Sequence, residues 1–133
     1  MVFEIEGKPV GKGRPRISKW GAYTPANTVN YENLVKFSFL QAKGEFIPVG
    51  ILRVNITAIF EPPKSTSKKK YAELIGTPYN KKPDIDNIAK SILDGLNGVA
   101  YSDDNQVAEL NVKKIYGDKS KAIVEIEVIG ISN

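Results

Sequence analysis

The stretch KPDIDNIAKSILDGLNG, residues 82–98, decides the fold. Ile85, Ile88, Ala89, Ile92, Leu93 and Leu96 fall at helical spacing, which predicts an amphipathic helix over Asp84–Leu96. Gly95 and Asn97-Gly98 stand where such a helix stops. Outward from it the period changes to two. Upstream, Leu52, Val54, Ile56, Ala58 and Phe60 alternate with Arg53, Asn55 and Thr57, the pattern of a half-buried strand ending at Pro62-Pro63. Downstream, Val107–Tyr116 and Ala122–Val128 alternate likewise, and the turn-forming run Gly117-Asp118-Lys119-Ser120 predicts that they form an antiparallel hairpin.

Near the N-terminus, Phe3 and Ile5 alternate with Glu4 and Glu6 as a further strand. Residues 11–26 carry Gly, Pro and basic side chains and read as a loop. Thr28 or Asn30 then caps a helix running to about Lys43 before Gly44. Its apolar residues Tyr31, Leu34, Val35, Phe37, Phe39 and Leu40 spread wider than one stripe, which a second buried surface, such as a subunit contact, explains. Residues 64–82 are polar and lysine-rich, either with a short helix from Ser67 to Ile75 or as a mobile segment. Strands clustered at the ends with helices between them imply an α+β fold: a mixed or antiparallel sheet of about four strands with two to three helices on one face.

The length of 133 residues suits one domain spanning 1–133. No stretch is apolar enough to span a membrane, and the first residues lack a signal-peptide layout, so the expectation is a soluble, cytoplasmic protein without membrane partners. The chain has neither cysteine nor histidine. That excludes disulfides, thiolate zinc sites, Ser-His-Asp triads and histidine general bases, and leaves chemistry to carboxylates, Lys, Tyr, Ser or Thr. The net charge of +4 permits an anionic partner without requiring one.

Charge placement says more. All six aspartates lie after residue 83, five of them between Asp84 and Asp104, while the nine glutamates are scattered. Basic stretches flank this window: Lys12, Arg14, Arg16 and Lys19, then Lys64, Lys68, Lys69 and Lys70, then Lys81 and Lys82. An acidic knot between basic segments suits a cation held beside a phosphate backbone.

Asp84 and Asp86 both belong to the first turn of the predicted helix, where free N–H groups stabilise anions. A helix cap accounts for one of them; two carboxylates and Asn87 within four residues repel unless they share a cation. Lys90 falls one turn after Asp86 and one before Asp94. The row is either a surface ion-pair ladder or, for Lys90, an ammonium able to neutralise charge at a scissile phosphate. Asp103-Asp104 is a turn, unless residues 98–102 bring one of its carboxylates back to Asp84 and Asp86 as a third oxygen donor. Hard oxygen donors select Mg²⁺ or Mn²⁺ over zinc, and such an ion supports phosphodiester hydrolysis without histidine.

The segments Lys82-Pro-Asp-Ile-Asp-Asn-Ile-Ala-Lys90 and Leu93-Asp-Gly-Leu-Asn-Gly-Val-Ala-Tyr-Ser-Asp-Asp-Asn-Gln-Val107 resemble the core signature of the RusA family of Holliday junction resolvases. Gly11-Lys-Gly-Arg-Pro-Arg16 with Tyr23-Thr-Pro25 is similar to the branch found in phage and prophage regions of Gram-positive bacteria. The resemblance implies a RusA-like fold and a homodimeric, Mg²⁺-dependent endodeoxyribonuclease. Such an enzyme binds branched DNA and resolves four-way junctions by symmetric paired nicks in DNA recombination and repair, with no small-molecule cofactor. It assigns metal binding and catalysis to Asp84, Asp86 and Asp104, with Asp103 in reserve, and catalysis also to Lys90. Phosphate contacts fall to Lys12, Arg14, Arg16 and Lys68, Lys69 and Lys70, or these are solvated surface lysines and arginines. Trp20 and Tyr23 either stack on bases at an opened junction or anchor the loop. The longer lysine-rich middle segment departs from better-known members and bears on junction specificity. Two alternatives stay open: a catalytically silent protein that binds branched DNA, and a flap or fork nuclease of broader range.

Overall fold

The computed structural model describes residues 1–131. In chain order it contains β1 (Val2–Glu6), β2 (Arg16–Ser18), β3 (Gly21–Tyr23), α1 (Ala26–Gln41), β4 (Ile51–Phe60), α2 (Lys68–Leu74), α3 (Ile85–Leu96), a 3₁₀ turn (Asp104–Gln106), β5 (Val107–Tyr116) and β6 (Lys121–Gly130). This is an α+β fold, as expected. The four-stranded sheet is mixed, in the order β1-β6-β4-β5, with β4 and β5 parallel and the other pairs antiparallel.

β4 is central because every second side chain is apolar and buried: Leu52, Val54, Ile56, Ala58 and Phe60 are all at most 1% exposed. A strand this apolar on one face needs a neighbour on each edge to satisfy its backbone. The predicted β5–β6 hairpin is therefore not formed. β4 inserts between the two, and the turn between them straddles its end, with Gly117 N–H donating to Phe60 O (3.0 Å) and Glu61 N–H to Ser120 Oγ (3.0 Å). Alternation located both strands correctly but carries no information on which strand lies beside which.

One sheet face is covered by α1 and α3, which bury Tyr31, Val35 and Phe39 and Ile88, Ile92 and Leu96 against it. Phe3 meets Phe39 edge to face at 5.5 Å. The two helices approach closely because Gly95 has no side chain; a Cβ there would lie 2.8 Å from Val35 Cβ. Gly95 thus serves packing inside α3 rather than ending it. The opposite sheet face carries a polar ladder, in which Arg53 bridges Glu109 (2.5 Å) and Glu127 (2.7 Å) and Asn55 bonds Glu125 (2.9 Å).

α1 starts at Ala26, before the expected cap. Thr28 lies inside it, buried, and accepts a hydrogen bond from Gly13 N–H at 2.9 Å. Phe37 and Leu40 remain more than half exposed, so part of the broad apolar surface is left uncovered within one chain. Residues 16–23 are not a plain loop but the small hairpin β2–β3. No helix among the described residues is long and apolar enough to cross a membrane.

Candidate active site

Asp84 occupies the N-cap position of α3 in extended conformation, after a cis Lys82–Pro83 peptide, yet its side chain makes no capping hydrogen bond. Asp86 follows in the first turn. Neither carboxylate has a side-chain partner among the described residues. The segment presenting them is fastened from β5: Lys114 Nζ donates to Lys81 O (2.6 Å) and Pro83 O (2.8 Å). Tyr79, stacked on Phe60 at 4.1 Å, donates its hydroxyl to Lys82 O at 3.1 Å.

The N-terminal loop runs along the same helix. Lys12 N–H donates to Asn87 O (2.8 Å), and Ser91 Oγ donates to Val10 O (2.7 Å). Gly11 lies so close that a Cβ would fall 2.9 Å from Pro83 Cβ. Between loop and helix opens a cleft of about 390 Å³, lined by Lys8, Gly11, Lys12, Lys82, Asp84 and Asn87 among others. Lysines around an aspartate with free helical N–H groups behind it make a place suited to a phosphate and a cation together.

β2–β3 leaves the body next to this cleft. Its basic residues Arg16 and Lys19 are exposed, as is Arg14 just before it, and so are Ile17 (88%) and Trp20 (86%) near its tip. Trp20 is therefore not a packing anchor; Lys19 Nζ lies over its ring at 5.1 Å. Lys12 stands apart from its basic neighbours. Its ammonium lies 2.5 Å from Glu32 and 3.2 Å from Asp94, with the side chain 18% exposed, so it braces α1 to α3 instead of reaching outward as a phosphate contact. Burial alone would lower its pKa, but the hydrogen bonds from these two carboxylates outweigh that and raise it. Asp94 consequently pairs with Lys12 and not with Lys90. Lys90 is exposed on α3 with no ion-pair partner among the described residues. Lys68, Lys69 and Lys70 form the exposed first turn of α2, whose start is capped by Ser67 Oγ.

The Asp103-Asp104 turn does not return to the start of α3. Gly98 N–H donates to Tyr101 O (2.8 Å), and Tyr101, fully buried, donates its hydroxyl to Leu93 O (2.6 Å). Residues 98–101 thus fold tightly under the C-terminal end of α3, and no three acidic side chains of the described residues come together as a metal-holding group. The helix itself separates the two places, since ten residues from Asp84 to Asp94 span roughly 15 Å. Asp103 caps the 3₁₀ turn, accepting from Asn105 N–H at 3.1 Å, while Gln106 closes the capping box. The Asn105 amide and the hydrogen bond shared with Asp104 lower the Asp103 pKa. That shared hydrogen bond, with partial burial, raises the Asp104 pKa. Asp103 is engaged locally, which leaves Asp104 as the member of the pair available to a ligand.

Lys8, Tyr79 and Lys114 were not singled out from the sequence. Lys114 carried a signal: it shares the inward phase of β5 with Val112 and Tyr116, where a charged residue is out of place unless it has a partner. Lys8 and Tyr79 carried none, because only chain crossings bring them to Asp84.

Comparison with known proteins bears on the family of the chain. An uncharacterized protein of Bacillus subtilis (strain 168), YqaN, is 33% identical over 137 residues, covering 97% of this chain and 96% of its own length. The family model described as endodeoxyribonuclease RusA matches residues 6–127, a span that includes the cleft, all of α3 and the Asp103-Asp104 turn. The chain belongs to the RusA family of endodeoxyribonucleases.

Proposed function

We propose that this endonuclease is a Mg²⁺-dependent homodimer that resolves Holliday junctions by symmetric paired nicks in DNA recombination and repair, in the cytoplasm of a Gram-positive bacterium or on behalf of its phage. The carrying observation is a pair of aspartates left without side-chain partners among the described residues: Asp84, which lines a cleft shared with Lys8 and Lys82, and Asp86, two residues on in the first turn of the same helix. Two uncommitted carboxylates suit Mg²⁺, which keeps several waters and takes further ligands from substrate phosphate. Mn²⁺ fits the same donors. When bound, such an ion supplies Lewis acidity at phosphorus and a hydroxide from its water.

The residues of the chain do the rest. Asp84 and Asp86 hold the negative charge that attracts the cation, and Lys8 and Lys82 draw the DNA backbone toward it. Lys90, one turn along α3, neutralises charge on the phosphoryl oxygens or protonates the departing one. Arg14 and Arg16 follow the backbone away from the cut, with Trp20 positioned to stack on an unpaired base. Lys68, Lys69 and Lys70 are a second phosphate contact. Asp104, the third carboxylate of the proposed site, lies at the other end of α3 in the same chain, so its role requires a second copy that brings it across.

Asp86→Asn tests this reading. It should lower nicking of a fixed four-way junction by at least about a hundredfold, while junction affinity in the absence of cleavage is kept or increased. Cutting at the wild-type rate would remove Asp86 from the site. Tight binding of the junction by the wild-type protein, with no cleavage of any branched substrate in Mg²⁺ or Mn²⁺, would instead make it a binding protein. A panel of junctions, flaps and forks separates a resolvase from a broader nuclease.

A further inference from the structure

The cleft lined by Asp84 does not end at Lys8. The same lysine lines a second cleft of about 500 Å³ at the end of the sheet, walled by Phe60, Glu61, Lys64, Tyr79 and Lys119 among others. Three distant segments meet there, and Ser120 ties them together. Its carbonyl oxygen accepts from Gly7 N–H (3.2 Å), and its Oγ accepts from Glu61 N–H (3.0 Å). Each segment contributes one lysine: Lys8 follows Gly7, Lys64 comes three residues after Glu61, and Lys119 precedes Ser120. Gly7 makes the first placement possible, since its φ of 96° turns the chain out of β1 in a conformation that favours glycine.

These charges are free to act on a ligand. All three lysines are exposed. Lys8 and Lys64 form no ion pair among the described residues, and Lys119 meets Glu6 at 3.3 Å. The side chains of that pair are 70% and 59% exposed, so it holds the ammonium weakly. Against three ammonium groups the wall sets one carboxylate, Glu61. The Ser120 hydroxyl has no acceptor for its own hydrogen among the described residues and can donate. Such a surface fits an extended polyanion, because its charges stand on three segments and the cleft adjoins that of Asp84 through Lys8.

We infer that this second cleft holds the DNA backbone on one side of the scissile phosphate, so that the strand runs from Asp84 past Lys8, between Lys64 and Lys119, to the lysines of α2. The inference deepens the proposed function and rests on it in one respect, that Asp84 marks the place of cutting. Residues 8–12 set the direction. They line the Asp84 cleft, with Lys8 at the end shared with the second cleft and Lys12 at the end that leads through Gly13 into β2–β3. α2 stands next to the second cleft. Tyr71 donates its hydroxyl to Asp118 (3.0 Å), the neighbour of Lys119, and Thr66 N–H donates to Pro63 O (2.9 Å) in the short turn that leads from Lys64 to α2. The β2–β3 hairpin and α2 therefore receive the backbone in opposite directions from the cut. Lys68, Lys69 and Lys70 prolong a track instead of forming an isolated patch.

Lys64→Gln combined with Lys119→Gln removes two charges at exposed positions and keeps both stems. Binding of a fixed four-way junction in EDTA should weaken by about tenfold near 0.1 M salt, and the slope of log affinity against log salt should fall by about two. Lys113→Gln, on the polar sheet face that Asn111 shares with Asn55, should leave the slope unchanged. An unchanged slope in the double variant, or an equal loss in the Lys113→Gln control, overturns the track. The chain has no cysteine, so Lys64→Cys or Arg16→Cys carries one photoactivatable azidophenacyl label without background. Mapped against the nick made in Mg²⁺, crosslinks from position 64 should fall on one side of it and those from position 16 on the other; the same side for both overturns the direction. If the wild-type protein cuts no branched DNA while the double variant still loses its slope, the nuclease reading fails and the second cleft remains a backbone site. Wild-type cutting with an unchanged slope in the double variant means the reverse.

Discussion

Lys114 Nζ lies 2.8 Å from the carbonyl oxygen of Pro83. Through that hydrogen bond and a second one to Lys81 O, the end of β5 holds the peptide that enters α3 and with it the position of Asp84. Lys114→Met removes both donors while keeping the stem over Tyr79. It should lower cleavage by roughly ten- to a hundredfold, the scale of a small misplacement of reacting groups. Lys114→Arg should restore part of the loss. The separating measurement is Mn²⁺ affinity against melting temperature: a positioning role moves the first more than the second.

Lys12 and its two carboxylates make a pH-dependent brace. The folded-state pKa of Lys12 is raised, so the stability it contributes is fully present below its ordinary value of 10.5 and is lost as pH rises through the higher folded value. Lys12→Met should therefore cost about 2 kcal/mol at neutral pH. The difference from wild type should shrink above pH 10.5 in denaturant titrations; a gap that stays constant there would show that packing of the stem, not the ion pair, carries the effect.

The same brace sorts the basic residues of the N-terminal loop. Arg16→Ala should weaken junction binding and reduce the slope of log affinity against log salt by about one, as loss of a single phosphate contact does. Lys12→Met should leave that slope unchanged, because its charge is already matched by Glu32 and Asp94. Filter binding across a salt series distinguishes the two.

Gly95→Ala isolates the packing of the helix layer. Alanine is the better helix former by about 1 kcal/mol, but its Cβ would meet Val35 Cβ at 2.8 Å and Glu32 O at 3.0 Å. The clash is with backbone and a β-branched side chain in a buried contact, so net destabilisation of about 1–3 kcal/mol should appear in equilibrium unfolding.

What could be read from the chain was what depends on neighbours in sequence. The apolar period located β1, β4, β5, β6 and α3, whereas Ser67–Ile75 was legible only as either a short helix, which α2 is, or a mobile segment. The crowding of Asp84, Asp86 and Asn87 into one helical turn marks Asp84 and Asp86 as metal candidates from the sequence alone. The broad apolar surface of α1 was visible too, and Phe37 and Leu40 are indeed exposed. The β2–β3 hairpin was missed because three-residue strands with no buried side chain have no amphipathic period to detect.

Everything that requires two distant segments to choose each other was decided only by the tertiary structure. Strand alternation says which side chains face the core but not which strand lies beside which; burial on β4 and its need for two backbone partners placed it between β5 and β6. Likewise residue types nominated both Lys12 as a phosphate contact and Asp104 as a neighbour of Asp84. The fold engages Lys12 with Glu32 and Asp94 and leaves Asp104 at the far end of α3. Sequence reports the local free energy of a segment in either period, whereas the meeting of charges depends on how packed elements are oriented, and that is set by the one core they share.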